Sequence, residues 1–234
     1  MSISCMTYSS WMQGKKEIAQ ALAQGECGGT YAEAAIILCA GISAMASFCW
    51  PRRDNDKARF IEVIVTFCSK TIDPTIISVP LLADKSELWR RRLPITSKSY
   101  WLTVKHDLPE DRVASMCAGL SADLKKEIRQ YSYAALLYKE LRCNFMHEYR
   151  VGARASVSDA ARSVFKVGAT DISYVYPVED PGVPTQRRIH FPLDWIVEIA
   201  ASVAKGIDNE CKRQKKCVFE DLKLKTIKWW IDGM

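Results

Sequence analysis

The stretch Leu136-Leu137-Tyr138-Lys139-Glu140-Leu141-Arg142-Cys143-Asn144-Phe145-Met146-His147-Glu148-Tyr149-Arg150 decides how this chain is read. Ala134, Leu137, Tyr138, Leu141 and Phe145 recur in steps of three and four residues, the spacing of the apolar face of an amphipathic helix. That helix is expected to begin near Tyr131 and to end before Gly152. Arg142 and His147 stand toward its end with four residues between them. An arginine keeps its charge at any working pH, whereas a histidine titrates close to neutrality. Together they supply a minimal kit for phosphate chemistry: a fixed cation for the phosphoryl oxygens and a group able to move a proton.

The pattern R-x-x-x-x-H formed by Arg142 and His147 resembles the signature of HEPN domains, a family of small all-helical proteins that includes many metal-independent ribonucleases. With Tyr149 two places after the histidine, the fuller form R-x-x-x-x-H-x-Y is similar to the HEPN toxins paired with minimal nucleotidyltransferase antitoxins. The resemblance is specific over Leu136 to Gly152. It extends more loosely to the Tyr31–Trp50 segment, followed by Arg59-Phe60, and to the alternating hairpin segment and final long helix that follow the motif.

The resemblance implies a mainly all-α fold, an antiparallel helical bundle of HEPN type, over residues 1–234 as a single domain. It implies an endoribonuclease acting as a homodimer in the cytoplasm, a toxin or antiviral defence effector. RNA would be its substrate, an antitoxin or other regulatory protein its partner, and no cofactor is required. His147 would serve as general base and acid, Arg142 as the cation for the transition state, and Asn144 as an orienting group. Tyr149, Arg150 and Cys143 complete the set as binding candidates. In the toxin relatives the matching tyrosine receives adenylyl groups from a partner enzyme, which blocks the site. One departure stands out. The residue after the arginine is commonly Asn, Asp or His in the family, and here it is Cys143, with Asn144 one place later.

The chemistry suits these residue types. RNA carries its own nucleophile, the 2′-hydroxyl beside the scissile phosphate. Histidine suits the two proton transfers, and arginine offers forked donors to the developing charge. The expected ends are a 2′,3′-cyclic phosphate or 3′-phosphate and a 5′-hydroxyl. Geometry adds a constraint, because five residues of a regular α-helix advance about 7.5 Å and turn about 140°. Either the helix frays near Asn144, or the working site is assembled from two chains around a two-fold axis.

Outward from the motif, the first helix is expected to start at Ser9 or Ser10 and to run to Gly25, Gly28 and Gly29. Thr30 and Glu33 form a capping box for a second helix that stops at Pro51. Asp54 or Asn55 caps a third, striped by Phe60, Ile64, Phe67 and Cys68 and ended by Pro74. Thr75 to Asp107 reads as a loop with a short helix, and Pro109 opens another helix toward Gln130, with a break near Gly119. After the motif the period changes. Ile172, Tyr174 and Tyr176 alternate, as do Ile189 and Phe191 beyond the turn-rich 177–185 segment, which predicts a β-hairpin with a long loop. Pro192 then leads into a long helix striped by Ile196, Ile199, Val203, Ile207 and Cys211. A basic extension over about 212–234 follows, ending near Trp229 and Trp230.

The nine cysteines form no C-x-x-C pair, and several lie in apolar stripes. That scatter predicts reduced thiols in a cytosol rather than a disulfide framework or a zinc site. No basic region followed by an apolar run opens the chain, so no secretory signal is expected. Ala34 to Trp50 carries no charge but is shorter than the roughly 20 residues that span a bilayer. Its Ala, Gly and Ser content predicts a core helix packed closely on its neighbours and no membrane span. A net charge of +6 permits a polyanionic partner without demanding one. The clusters Arg90 to Arg92 and Lys212 to Lys216 are either backbone contacts for RNA or solvated faces. Two rivals to the ribonuclease stay open: a non-catalytic HEPN-like module binding nucleotide, RNA or protein, and a helical interaction subunit whose motif helix is an interface.

Overall fold

The computed structural model describes residues 6–51, 55–68, 72–93, 103–116, 121–148, 152, 154, 172–175, 187–225 and 230–231. The described chain is mostly helical with one small antiparallel sheet. It divides into two compact units, one built from Met1–Asp73, Asp159–Thr170 and Leu193–Gly233, the other from Pro74–Ser158 and Asp171–Pro192.

The first unit packs α1 (Tyr8–Ala23), α2 (Tyr31–Cys49), α3 (Asp56–Phe67) and α10 (Leu193–Gln214). The central helix is α2, in contact with the other three. By length and composition α2 alone, among the described residues, could cross a membrane. Here Ala34, Ala35, Leu38, Ile42 and Met45 of that helix are completely buried within the unit, as the run of small residues predicts. Its start is the Thr30–Glu33 box: the Thr30 hydroxyl accepts from the Ala32 amide at 3.1 Å, and Glu33 accepts from the Thr30 amide at 2.8 Å. The Thr30 hydroxyl also holds the Glu33 carboxyl below its ordinary range.

Two boundaries differ from expectation. The first helix is capped by Thr7, not Ser9 or Ser10. Ser10 is the reciprocal partner, donating its amide to the Thr7 hydroxyl at 3.0 Å while its own oxygen accepts from the Thr7 amide at 2.9 Å. The Asp208 carboxylate of α10 then takes the Tyr8 and Ser9 amides at 2.7 and 2.9 Å, which ties the two helices where free amides favour negative charge. The third helix is capped by Asn55, whose side chain accepts from the Ala58 amide at 3.0 Å; Asp54 lies outside the described residues. It ends at Phe67 rather than Pro74, because Cys68 turns to extended backbone at φ −68 and ψ 145.

The stripe Ile196, Ile199, Val203, Ile207 and Cys211 is buried as the periodicity predicts. Beyond α10 the chain is held onto this unit by backbone bonds, Leu222 amide to Phe48 carbonyl at 2.9 Å and Leu224 amide to Cys49 carbonyl at 2.8 Å. Leu222 and Ile231 are core residues. Part of the C-terminal extension is therefore built into this core.

The second unit holds α4 (Val79–Lys85), α5 (Glu87–Arg92), α6 (Glu110–Met116), α7 (Ala122–Arg129), the motif helix and the hairpin. Thr75 to Asp107, read as a loop with one short helix, contains α4, α5 and a 3-10 turn at Val104–His106. Each helix is too short for an apolar stripe to register, and Pro80 sits in the first turn of α4, where a missing amide costs nothing. Serines cap four helices here: Ser78, Ser86, Ser121 and Ser132 accept from the amides of Leu81, Trp89, Leu124 and Ala135. The break near Gly119 is present as the gap between α6 and α7, with Gly119 itself outside the described residues. Strands β1 (Ser173–Val175) and β2 (Arg188–His190) pair antiparallel, Tyr174 opposite Ile189, as the alternation predicts. Tyr176 and the 177–185 loop lie outside the described residues.

Candidate functional site

The motif helix begins at Tyr133, with Ser132 as cap, two residues later than the pattern suggests. It is not a uniform α-helix. Tyr133–Leu136 (α8) is α, Leu137–Cys143 winds as a π-helix, and Asn144–Glu148 (α9) is α again. The helix does not fray near Asn144, which opens an α-helical segment; it departs from regular α geometry earlier, in the π-section. A π-turn bonds residue i to i+5, so it carries a residue five places on toward the same side of the axis. Only Arg142 and Cys143 of the Arg142–His147 step lie in the wide section. The two side chains are thus separated by less than the about 140° of a straight helix, without facing alike.

Two donors from outside the helical ladder meet the wide section. The Lys139 carbonyl accepts from the Asn144 side-chain amide, five residues on. The Glu140 carbonyl accepts from the Gly152 amide at 2.7 Å, from beyond the helix end. Both acceptors are served by donors outside the ordinary ladder. Glu140 is itself buried, only 3% exposed. Its carboxylate accepts from the Arg154 amide at 3.2 Å. The Arg154 side chain lies 3.1 Å away in an ion pair and covers the Tyr131 ring at 5.0 Å.

Arg142 is half-buried, its guanidinium 5.3 Å from the centre of the Tyr138 ring. His147 and Met146 are exposed, while Phe145 between the two motif residues is buried. Cys143 is a half-buried free thiol. Asn144, expected to orient the site, spends its amide on the Lys139 carbonyl. Tyr149 and Arg150 lie outside the described residues, as does the side chain of Glu148. The motif lies in the second unit with the hairpin, whereas α2, α3 and α10, to which the looser resemblance also extends, lie in the first.

The structure also shows a buried polar junction in the second unit that no short motif announces. One Asp107 oxygen accepts from the Tyr133 hydroxyl at 2.5 Å and from the Tyr174 hydroxyl at 2.7 Å; the other accepts from the Val79 amide at 3.2 Å. Tyr174 also bonds Ser78 at 2.6 Å. Buried Arg187 stacks 5.8 Å from the Tyr174 ring and pairs with Asp84 at 3.6 Å. Burial pushes the Asp107 carboxyl up to about 7, against the pull of both hydroxyls, the amide and Arg187. Its neighbour His106 is half-buried and takes the Thr103 amide at 3.0 Å. The only signal in the chain order was the pair of tyrosines at strand and helix starts.

The basic clusters are exposed, and several of their charges are paired. Arg90 and Arg91 lie 3.4 and 3.2 Å from Glu87, and Arg213 is held by Glu210. In the first unit a cleft of about 680 Å³ is lined by Trp50, Phe67, Glu210, Arg213, Lys223 and Lys225, among others; no motif residue borders it. Seven free cysteines are described, with Cys39, Cys49 and Cys211 buried; Cys5 and Cys117 lie outside the described residues. Among the described residues no group of three or more His, Cys, Asp or Glu is placed to hold a metal ion. Comparison with protein families, curated proteins and solved structures finds no match to this chain.

Proposed function

We propose that this chain is a metal-independent endoribonuclease of HEPN type, acting as a homodimer in which two Arg142–His147 pairs face one RNA strand. The observation that carries the reading is the accessibility of both groups near the end of one helix: Arg142 is steadied against Tyr138 and His147 is open to solvent. In the reaction His147 takes the proton of the 2′-hydroxyl, the 2′-oxygen attacks phosphorus, and the bond from phosphorus to the 5′-oxygen breaks. The second histidine of the pair protonates the leaving oxygen. Arg142 neutralises charge on the non-bridging oxygens. Tyr149, by resemblance, is the residue a regulatory partner would modify.

The test is cleavage of single-stranded RNA with chelator present. Products with 2′,3′-cyclic phosphate and 5′-hydroxyl ends are expected. His147→Ala should lower the rate by about 10²- to 10⁴-fold with the helical spectrum unchanged. A folded His147→Ala protein that cuts at the wild-type rate would overturn the mechanism.

A second reading is favoured by one feature. Asn144 is bonded to its own helix and Cys143 follows the arginine, so the polar support typical of the family is missing from both places. In that reading the chain is a non-catalytic module that binds RNA, and the same assay shows retention of RNA without scission.

A further inference from the structure

The groups that hold the wide turn are not motif residues, yet they act on the motif. We propose that Glu140 is the positioning residue of the Arg142–His147 pair, held in place by Arg154 and Gly152. Its kinetic consequence rests on the ribonuclease reading; its structural consequence does not.

Three observations converge. First, Glu140 lies within the π-section and is 3% exposed, and a carboxylate is seldom taken so far from water unless it is paired. Second, its partners come from beyond the helix end. The Arg154 amide donates at 3.2 Å, the Arg154 guanidinium pairs at 3.1 Å, and the Gly152 amide donates to the Glu140 carbonyl at 2.7 Å. Third, the contact is too close for a side chain at 152. A Cβ there would run into the Glu140 carboxylate and come within 2.7 Å of the Asn144 amide nitrogen, the group that serves the Lys139 carbonyl.

The physical consequence follows from the ladder. Arg154 holds the Glu140 carboxylate beside Gly152; if that hold is lost and the Gly152 amide leaves the Glu140 carbonyl, the carbonyl is left to the amides of its own helix. The shortest repair is the ordinary i→i+4 bond, which rewinds the section toward α geometry. Rewinding turns Arg142 relative to His147 by about 15–30°, since only the first steps between them are wide, and a misplacement of about 1 Å can cost about 10²-fold in rate.

The experiment compares Glu140→Gln, Arg154→Gln and Arg154→Lys in the full chain. Hydrogen exchange of the Leu141–His147 amides is measured beside RNA cleavage. Expected in the two Gln variants is exchange faster by about tenfold or more in that peptide, with other second-unit peptides unchanged. With it kcat should fall about tenfold while KM moves less than about threefold. Arg154→Lys keeps the charge and should recover part of both. Wild-type exchange and wild-type kcat in Arg154→Gln would overturn the proposal. Should Glu140→Gln fail to fold, Arg154→Gln decides alone. If the wild-type chain cuts no RNA, the ribonuclease reading fails by itself. The exchange result then settles the positioning role: local loosening supports it, and an unchanged profile overturns it.

Discussion

At position 152 a single methyl group is expected to matter. Gly152→Ala sets a Cβ 3.0 Å from the Glu140 Cα and closer still to its carboxylate. The backbone atom cannot swing away, so a loss of about 1–3 kcal/mol is expected in urea denaturation; an unchanged midpoint would show the contact to be slack. Asp107 gives a prediction in pH. Its carboxyl is raised from an ordinary 3.8 to about 7 in the folded chain, so between those values the folded state holds a proton that the unfolded state has lost. Its contribution to stability is therefore fully present below about pH 4 and declines as pH rises toward about 7. Asp107→Asn removes that slope: its melting temperature should vary less than the wild type's across this window. Parallel profiles would refute the assignment. Neither residue drew notice from its neighbours in the chain. Glycine after a helix is common, and an Asp before a proline-containing turn is ordinary loop chemistry.

Two glycines at the level of helices look alike in the chain and should behave oppositely. In α10, a Cβ at Gly206 would lie 2.7 Å from both Cβ and Cδ1 of Phe67 on α3. Those atoms sit near the backbone, so Gly206→Ala should cost about 1–3 kcal/mol despite the better helix former. In α2, a Cβ at Gly41 comes closest to the terminal methyl of Met12 at 2.7 Å, with its sulfur at 3.6 Å and the Trp11 ring at an ordinary 3.8 Å. That flexible end can move, so Gly41→Ala should be neutral or raise stability by up to about 1 kcal/mol. Thermal melts of the two variants side by side check the contrast; a Gly206→Ala protein as stable as wild type would show that α3 and α10 can part freely. Helices are legible in the chain where a cap or a long stripe marks them, as with Thr30 and Glu33 ahead of α2 or the five stripe residues Ile196 to Cys211, all buried, in α10. Short segments are less legible: one short helix is expected where α4 and α5 both form, because one or two turns present too few apolar positions to fix a period. The π-section within the motif helix could not be read either, since its apolar stripe fits an α-helix and the groups that bond Glu140 lie at Gly152 and Arg154.

For the chain as a whole, charge makes the prediction. A net charge of +6 is modest, and several exposed arginines are already paired with glutamates. RNA binding should therefore weaken with salt with a shallow slope, about −0.7 in log K per log salt for each single-strand phosphate contacted. Filter binding between 50 and 200 mM salt, ranges typical for such tests, measures it; affinity independent of salt would argue against any backbone contact. The division into two compact units was not apparent from composition, which changes little along the chain. It separates the motif helix from the long apolar helices α2 and α10, so the motif must be judged by what surrounds it in its own unit.

Caps, stripes and the alternating hairpin were decided by residues within four places of one another, and such short-range preferences survive in any fold the chain adopts. The environment of Arg142 and His147 was decided otherwise. Within the wide turn Glu140 meets donors 12 and 14 positions further on, and the Asp107 junction joins groups 26 to 96 positions apart. Contacts of that range exist only once the backbone has closed its loops, because hydrogen bonds and buried charges are satisfied by whatever folding brings near.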